Sequence, residues 1–546
     1  MNVFSLAASF VLLYAMEVFA HGCGTAVLIE HHNASPAAKI AARTSNMLSS
    51  CAAEAYYDTS AVNERVTTHF RIYYVLKGPH ATTDAFVDTA AKYLEKAWAF
   101  HTQTLGMLAP RGMDTSYQYR KSDNSGLYAV EIADIDLIRN AESLFGGSCG
   151  GCYGVTIPDD SGKTSELILD NDFRYSTGTM DSVTYKGKAC TYLSPDDSLI
   201  NESNGHYYTQ HPDEAIAVTA FHELYHAAQL RYVNFLDYPS YWFEASAVGV
   251  EEAGAPSVND YWAYLPSFFN SAGTAFGSLS ATGAYGLGVW YQYNYRTQGP
   301  KFDASLWKRF SGSPDSSFET IFAKQLDGDN VDADSVFQDF AQRIFFSGSR
   351  SKYLKASARF ADDQPSWPAM RLQSPPVSAV QISSTPAFNY YTLKGSSTPD
   401  LSAFKGKASI ALWNGNEGSS ARFYAIGNGI DLASFSDSIA SADSAILIVS
   451  RLLANDTATV IAKDTLPMRA YPDPWKGASP LCFASLPKDK AFIEIWTRGG
   501  MLALREKYSG TGLCITETEV REKLAPGLFY FRAGSHGKTK PFLLIY

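Results

Sequence analysis

From Thr68 to Val75 the chain reads THFRIYYV, alternating closely enough in polarity for a strand, and Gly78-Pro79 breaks it. Phe86, Ala90, Leu94, Ala97 and Trp98 then recur at helical spacing behind a capping Thr or Asp, and Gly106 supplies the stop. SGLYAVEIADI and SELILDNDF read as two further strands. This strand–helix–strand order predicts an α+β unit. From Asp213 to Tyr232 the period is helical, opened by Pro212 and Asp213. A second helix is expected over Ser240–Gly254, a third over Thr282–Gly299, and a fourth in DSVFQDFAQRIFFSG.

The pattern changes after DDQPSWPAMRLQSPPVSAV, which has four prolines and no helical period. It predicts a domain boundary near Ser366–Pro376. Beyond it come short alternating runs separated by turn residues: NYYTLKG, ASIALWN, ARFYAIG, SAILIVS, TATVIAKD, AFIEIWT, LFYFRAG and PFLLIY. They predict a β-sandwich type of region, divided into two modules near Tyr471–Lys476. The expected organisation is a leader over 1–20, an N-terminal segment and candidate pro-segment over 21–67, a mostly helical domain with an α/β N-terminal portion over 68–365, and β-rich modules over 366–475 and 476–546.

Composition narrows the partners. The 546 residues are 46% hydrophobic with 33 Tyr and 32 Phe, enough for a large core. Net charge is −10 and no basic run stands out, which argues against nucleic acid and anionic membrane. An apolar run from Val3 to Ala20, with Val18 and Ala20 as small residues before a cut at Ala20–His21, reads as a secretory signal peptide. No other stretch is apolar and long enough to span a bilayer. Export makes disulfides the default for the seven cysteines. Cys482 and Cys514 are expected to pair. Cys23 is expected to pair with Cys51, or one of the two acts as an inhibitory metal ligand in a pro-segment. Cys149, Cys152 and Cys190 leave one over, and the CGGC of Cys149–Cys152 has no second CxxC to complete a zinc knuckle. Asn33, Asn201 and Asn455 lie in glycosylation sequons.

The candidate chemistry lies in AVTAFHELYHAAQLRY, Ala217–Tyr232. On a helix, His222 and His226 stand one turn apart on one face, so two imidazole nitrogens can reach one Zn²⁺ at roughly 2.0–2.1 Å. Glu223, rotated by about 100°, can reach a water on that metal and act as base, then as acid toward the leaving amine. A third ligand is needed, and Glu244 in PSYWFEASAVGVEE follows His226 after a loop long enough to reverse direction. Ala245, Ser246, Ala247 and Gly249 are small and allow close helix packing. The H-E-x-x-H pattern arises by chance in roughly one such chain in a hundred from typical composition. Here it sits in an apolar, evidently buried helix, where two histidines and a glutamate without partners would cost several kcal/mol. The result is a His₂Glu site with an open position.

FHELYHAAQ followed by WFEASAVGVEE resembles the active-site core of gluzincin-type metallopeptidases. More closely, it is similar to a group of secreted bacterial metalloproteases whose core reads HEFFHAIQ followed by W-x-E-A-T-A. The similarity extends from about Thr68 to Tyr295, and Ser246 stands where that group usually has Thr. The resemblance implies a zincin-like fold, with His222, His226 and Glu244 as zinc ligands and Glu223 as general base. It also implies a Tyr or His that hydrogen-bonds the oxyanion. Tyr285 in GAYGLGVW is the candidate, ahead of Tyr225 and His206. Glu251 is a candidate acceptor for a ligand histidine's second N–H. Asp170 and Asp172 in LDNDF read as a loop fixed by Asx hydrogen bonds, with calcium as the alternative.

The expectation is a secreted, extracellular or cell-surface zinc metallopeptidase acting on protein or peptide, of unspecified oligomeric state. Its rival is a secreted binding or adhesion protein with a silent zinc site, working through its C-terminal β-modules. A structural zinc site normally has four protein ligands, and the retained Glu223 favours catalysis.

Overall fold

The computed structural model describes residues 22–33, 62–112, 126–135, 152–159, 163–174, 180–185, 188–193, 211–453 and most of 469–544, with short interruptions. The leader, Cys51, Cys149, Asn201, His206, Asn455 and the expected strand TATVIAKD lie outside the described residues. The chain divides into two compact units, 1–454 and 455–546.

In the first unit, β1 (Gly22–Cys23) runs into α1 (Gly24–Asn33). Then come β2 (Asn63–Val66), β3 (Phe70–Tyr74), α2 (Asp84–Ala99), β4 (Tyr128–Ile132), β5 (Cys152–Pro158) and β6 (Ser165–Leu169). These strands form one mixed sheet in the order β1-β5-β6-β4-β3-β2. Every residue of β4 and β6 is buried, as expected of central strands covered on both faces, whereas β2 alternates half-buried and exposed at the far edge. β5 runs antiparallel to β6, and β1 lies parallel to β5 on its outer side. A separate hairpin pairs β7 (Met180–Tyr185) with β8 (Lys188–Leu193). α2 begins where Thr83 accepts a hydrogen bond from the Phe86 N–H, the cap expected from the sequence.

Two helices carry the candidate chemistry. α3 (Pro212–Gln229) starts with Pro212 at its first turn and Asp213 and Glu214 beside it, all suited to a helix N-terminus. Every residue from Ala215 to Gln229 is buried, because α3 is covered by the sheet, by α2 and by α4 (Tyr241–Gly254). Ser240 caps α4 by accepting from the Trp242 N–H. Gly254 lies against the Phe221 ring: a Cβ there would sit 2.2 Å from Phe221 Cε1.

α5 (Leu265–Phe269), α6 (Ala281–Gly286), α7 (Gly288–Gln298), α8 (Phe302–Gly312), α9 (Phe318–Gly328) and α10 (Ala333–Phe345) complete the helical part. The expected third helix is therefore two, parted at Leu287. Gly249 serves α7 rather than α3, since its missing Cβ leaves room for the Tyr291 ring at 2.4 Å.

Strands β9 (Ala387–Thr392), β10 (Lys407–Trp413), β11 (Arg422–Ile426) and, after α11 (Ser436–Ser441), β12 (Ser444–Arg451) form an antiparallel sheet ordered β11-β10-β12-β9. The boundary expected near Ser366–Pro376 falls inside the first unit. The cause is α10, which lays its apolar face on this sheet, so that Phe337, Phe340, Phe388, Tyr390 and Ile448 belong to one core with the α3 residues.

The second unit holds β13 (Arg469–Tyr471), β14 (Leu481–Ala484), β15 (Phe492–Thr497), β16 (Leu502–Lys507), β17 (Gly512–Ile515), α12 (Glu517–Lys523), β18 (Gly527–Ala533) and β19 (Lys540–Leu544). They make a three-stranded and a four-stranded sheet. Phe483 and Ile515 from one meet Ile495, Phe531 and Phe542 from the other in a separate core. Cys482 and Cys514 pair as expected, joining β14 to β17. The fold class is α+β throughout, and no helix among the described residues is long and apolar enough to cross a membrane.

Candidate metal centre

His222 and His226 lie one turn apart on α3, with ring centroids 4.7 Å apart and their Nε2 atoms 3.0 Å apart. Glu244 comes across from α4: its Oε2 is 3.3 Å from His222 Nε2 and its Oε1 3.4 Å from His226 Nε2. Both carboxylate oxygens are buried and accept no hydrogen bond. A buried carboxylate without a hydrogen-bond donor is costly, and a cation between the three groups would satisfy it. Tetrahedral bonds to N and O donors put neighbouring donors about 3.3–3.4 Å apart, close to what is seen. The expected trio therefore converges. A fourth group joins it, Cys23 of β1, and the four ligand atoms all lie within 4.8 Å of one another.

The outer side of each imidazole is fixed. His222 Nδ1 is hydrogen-bonded to Glu251 Oε1, the residue expected to play this part. His226 Nδ1 is 2.7 Å from Gln229 Oε1. The Gln229 amide nitrogen donates to Phe243 O at 3.1 Å and Ser246 Oγ at 3.0 Å, so its oxygen must be the acceptor and His226 Nδ1 the donor. Both histidines thereby turn an unprotonated Nε2 inward when neutral, the tautomer a metal ligand needs. Gln229 was not foreseen from sequence. The signal was there, since it is the third residue after His226 and falls on the neighbouring helical position.

The metal-free electrostatics show how strongly the groups are set against one another. Burial alone would lower His226, but Glu244 and Cys23 outweigh it and raise the imidazole to about 10. His222 is raised in the same way, against burial, by Cys23, Glu244 and Glu251. Burial would raise Glu244, yet His226 and His222 hold it down at about 2. Glu251 is pushed up by burial to about 7, although His222 pulls the other way. Burial, then Glu223 and Glu244, raises the Cys23 thiol.

Glu223 lies beside the cluster. Its Oε2 accepts from Thr156 Oγ1 at 2.9 Å and from Thr25 Oγ1 at 2.8 Å, and its Oε1 accepts from Cys23 Sγ at 2.9 Å. The same Thr156 hydroxyl is 2.7 Å from the Glu223 carbonyl and shares its one proton between the two oxygens. This closeness of β5 to α3 depends on Gly154, where a Cβ would lie 2.5 Å from Thr219 Cγ2 and 2.7 Å from Glu223 Cγ.

Tyr285 is buried in the wall of the same cavity, with Tyr264, Tyr153 and Val248, and its ring meets that of His222 edge-on at 6.4 Å. Tyr225 faces elsewhere: its hydroxyl donates to Asp303, which also accepts from Trp242 Nε1 and Trp307 Nε1 at 3.0 Å each. That network ties α3, α4 and α8 together. Asp170 accepts from the N–H groups of Ile135, Asp172 and Phe173, so LDNDF is an Asx-stabilised loop. Cys23 departs from the expected Cys23–Cys51 pairing and carries a free, buried thiol, because β1 delivers it to the histidines. Cys152 is disulfide-bonded.

No family model matches the chain, and no curated protein matches it. Among solved structures it is similar to PorZ, a bacterial surface component of the type-IX secretion system of Porphyromonas gingivalis. The two are 15% identical over 18% of this chain and 14% of that one, with a TM-score of 0.14. A likeness of that size carries no argument about fold or function.

Proposed function

We propose that the protein is a secreted zinc-dependent metallopeptidase with a zincin-like catalytic part. The observation that carries this is the convergence of His222, His226 and the hydrogen-bond-free, buried Glu244 carboxylate beside Glu223. Two neutral imidazoles and one carboxylate are the donor set of a hydrolytic zinc centre rather than of a calcium or magnesium site. Zinc held there supplies Lewis-acid activation of water and of a peptide carbonyl.

The chain's own residues do the rest. Glu223 takes the proton of the attacking water and returns it to the leaving amine. Thr156 holds that carboxylate in place. Glu251 and Gln229 fix the two ring tautomers. In this reading Tyr285, in the cavity wall beside His222, donates to the oxyanion. A disulfide between Cys482 and Cys514 suits an oxidising compartment, in keeping with export.

The test is metal content by plasma mass spectrometry on the full chain purified without chelators. Wild type and Glu223→Gln should each carry one zinc, and His222→Ala/His226→Ala none. Casein cleavage is compared in a Cys23→Ala background with and without Glu223→Gln, because the thiol rests on Glu223 in the native chain. Cleavage should vanish with Glu223→Gln. Metal-free wild type would refute the centre, and undiminished cleavage by Glu223→Gln would refute the base.

A further inference from the structure

Cys23 has no part in the hydrolytic chemistry proposed above, yet it lies at the centre of the site. Cys152, Cys482 and Cys514 are in disulfides, whereas Cys23 keeps its thiol, 8% exposed. A free cysteine beside three described cysteines that are disulfide-bonded calls for a specific reason. Its Sγ is 3.6 Å from His226 Nε2. A thiolate and an imidazole bound to one tetrahedral zinc stand about 3.6 Å apart, from bond lengths of about 2.3 and 2.0–2.1 Å.

The residues around Cys23 close the site further. Without metal, the Cys23 S–H and the Thr25 O–H each donate to one oxygen of the Glu223 carboxylate; when Cys23 ligates the metal as thiolate its proton passes to Glu223 or to solvent, and the Thr25 hydrogen bond remains. Thr25 is itself pinned, accepting from the Thr156 N–H at 2.8 Å. β1 lies along the outer edge of β5, pairing Gly22 with Cys152 and Cys23 with Gly154. It therefore covers the strand edge against which an extended chain would add beside Glu223. The cavity left next to Cys23 is about 30 Å³. That is room for a water or two.

We propose that Gly22–Thr25 is an autoinhibitory strap whose Cys23 thiolate is the fourth ligand of the metal held by His222, His226 and Glu244. This rests on the metal-centre reading above. A hydrolytic zinc site needs an open position, and four protein ligands leave none. A purely structural four-ligand site would have no use for Glu223, which is nonetheless kept within reach and buttressed by Thr156 from outside the strap. The native chain is therefore a latent form, and displacement of the strap frees the metal's fourth position, Glu223 and the β5 edge together.

The experiment loads the full-length chain with Co²⁺ in place of zinc and compares wild type, Cys23→Ser and Cys23→Ala. Near-ultraviolet absorption reads the thiolate-to-cobalt charge-transfer band, and casein hydrolysis is measured on the zinc forms. Wild type should show the band. Both variants should bind one metal, lack the band, and hydrolyse casein roughly ten-fold faster or more, the gain being set by how few wild-type chains are open. Cobalt bound by wild type without a thiolate band would overturn the strap while leaving the centre standing. So would metal-loaded variants no faster than wild type. Chains that bind no metal, with or without Cys23, would overturn the centre and the strap with it. Metal content and the size-matched Cys23→Ser variant show whether the centre itself stays intact.

Discussion

Gln229→Leu should weaken metal binding without dismantling the protein. Gln229 is fully buried and makes three contacts: it accepts from His226 Nδ1 at 2.7 Å and donates to Phe243 O and Ser246 Oγ. Two of the partners survive its loss, because Ser246 Oγ still donates to Trp242 O and Phe243 O lies 3.3 Å from the Ser246 hydroxyl. The orphan is the His226 Nδ1–H. One buried donor left unpaired costs about 1–3 kcal/mol, which the fold can bear. For the metal the effect is more specific. Without an acceptor at Nδ1, the tautomer that presents a free Nε2 loses its preference. Losses of this kind reduce metal affinity by about 10–100-fold, or about 1.4–2.7 kcal/mol.

The assay is competition for Zn²⁺ against a chromophoric chelator, with circular dichroism to confirm the fold. Ser246→Ala leaves the Gln229–His226 bond and the bond to Phe243 O, so it should change the dissociation constant by less than about three-fold. Gln229→Glu keeps an acceptor at Nδ1 and should retain affinity better than Gln229→Leu, even where it costs stability. A folded Gln229→Leu that binds zinc as tightly as wild type would refute the orientation argument. Equal losses in Gln229→Leu and Gln229→Glu would show that side-chain shape, not the hydrogen bond, is what matters.

Three further outcomes follow from the packing. Gly154→Ala should destabilise by about 1–3 kcal/mol, read as a lower thermal midpoint, since its Cβ would meet Thr219 and Glu223 at 2.5 and 2.7 Å; an unchanged midpoint would show that β5 yields freely. His101 is buried among Phe221 and Tyr225 with neither ring nitrogen hydrogen-bonded, and burial lowers it to about 3. Its folded value is below the unfolded value of about 6.5, so its contribution is full above pH 6.5 and is lost by about 1.4 kcal/mol per unit as pH falls toward 3. Wild type should therefore lose about 2–3 kcal/mol more than His101→Phe between pH 7 and 4.5 in urea titrations, and parallel curves would count against a neutral buried His101. Cys482→Ala/Cys514→Ala opens a link with sequence separation 32, worth about 3–4 kcal/mol, so the second unit's unfolding midpoint should drop while the first unit's stays.

What the sequence disclosed depended on whether the signal was local. The i, i+4 histidines, the Pro212 start of α3, the Thr83 cap and the short apolar runs of β3, β10 and β12 are set within one turn or one strand, and each was legible. Glu244 was legible because small residues around it and a reversing loop leave few ways to arrange two helices. Glu251 followed from helical spacing on the same face. At Ser366–Pro376 proline marks an interruption of regular structure, and the core continues across it. Whether α10 buries its face on the next sheet depends on contacts more than 50 residues away, as between Phe337 and Phe388.

Cys23 shows the same limit at the site itself. Sequence gave it two roles, a disulfide partner or an inhibitory ligand, and no local pattern separates them. The decision is made by β1 adding to β5 some 130 residues further on, and by Gly154, whose bare backbone lets β5 approach Glu223. With β5 at that distance, the residue opposite Gly154 arrives beside His226 and Glu223. The thiol's place is thus a consequence of where β1 adds to β5, with Cys23 opposite Gly154.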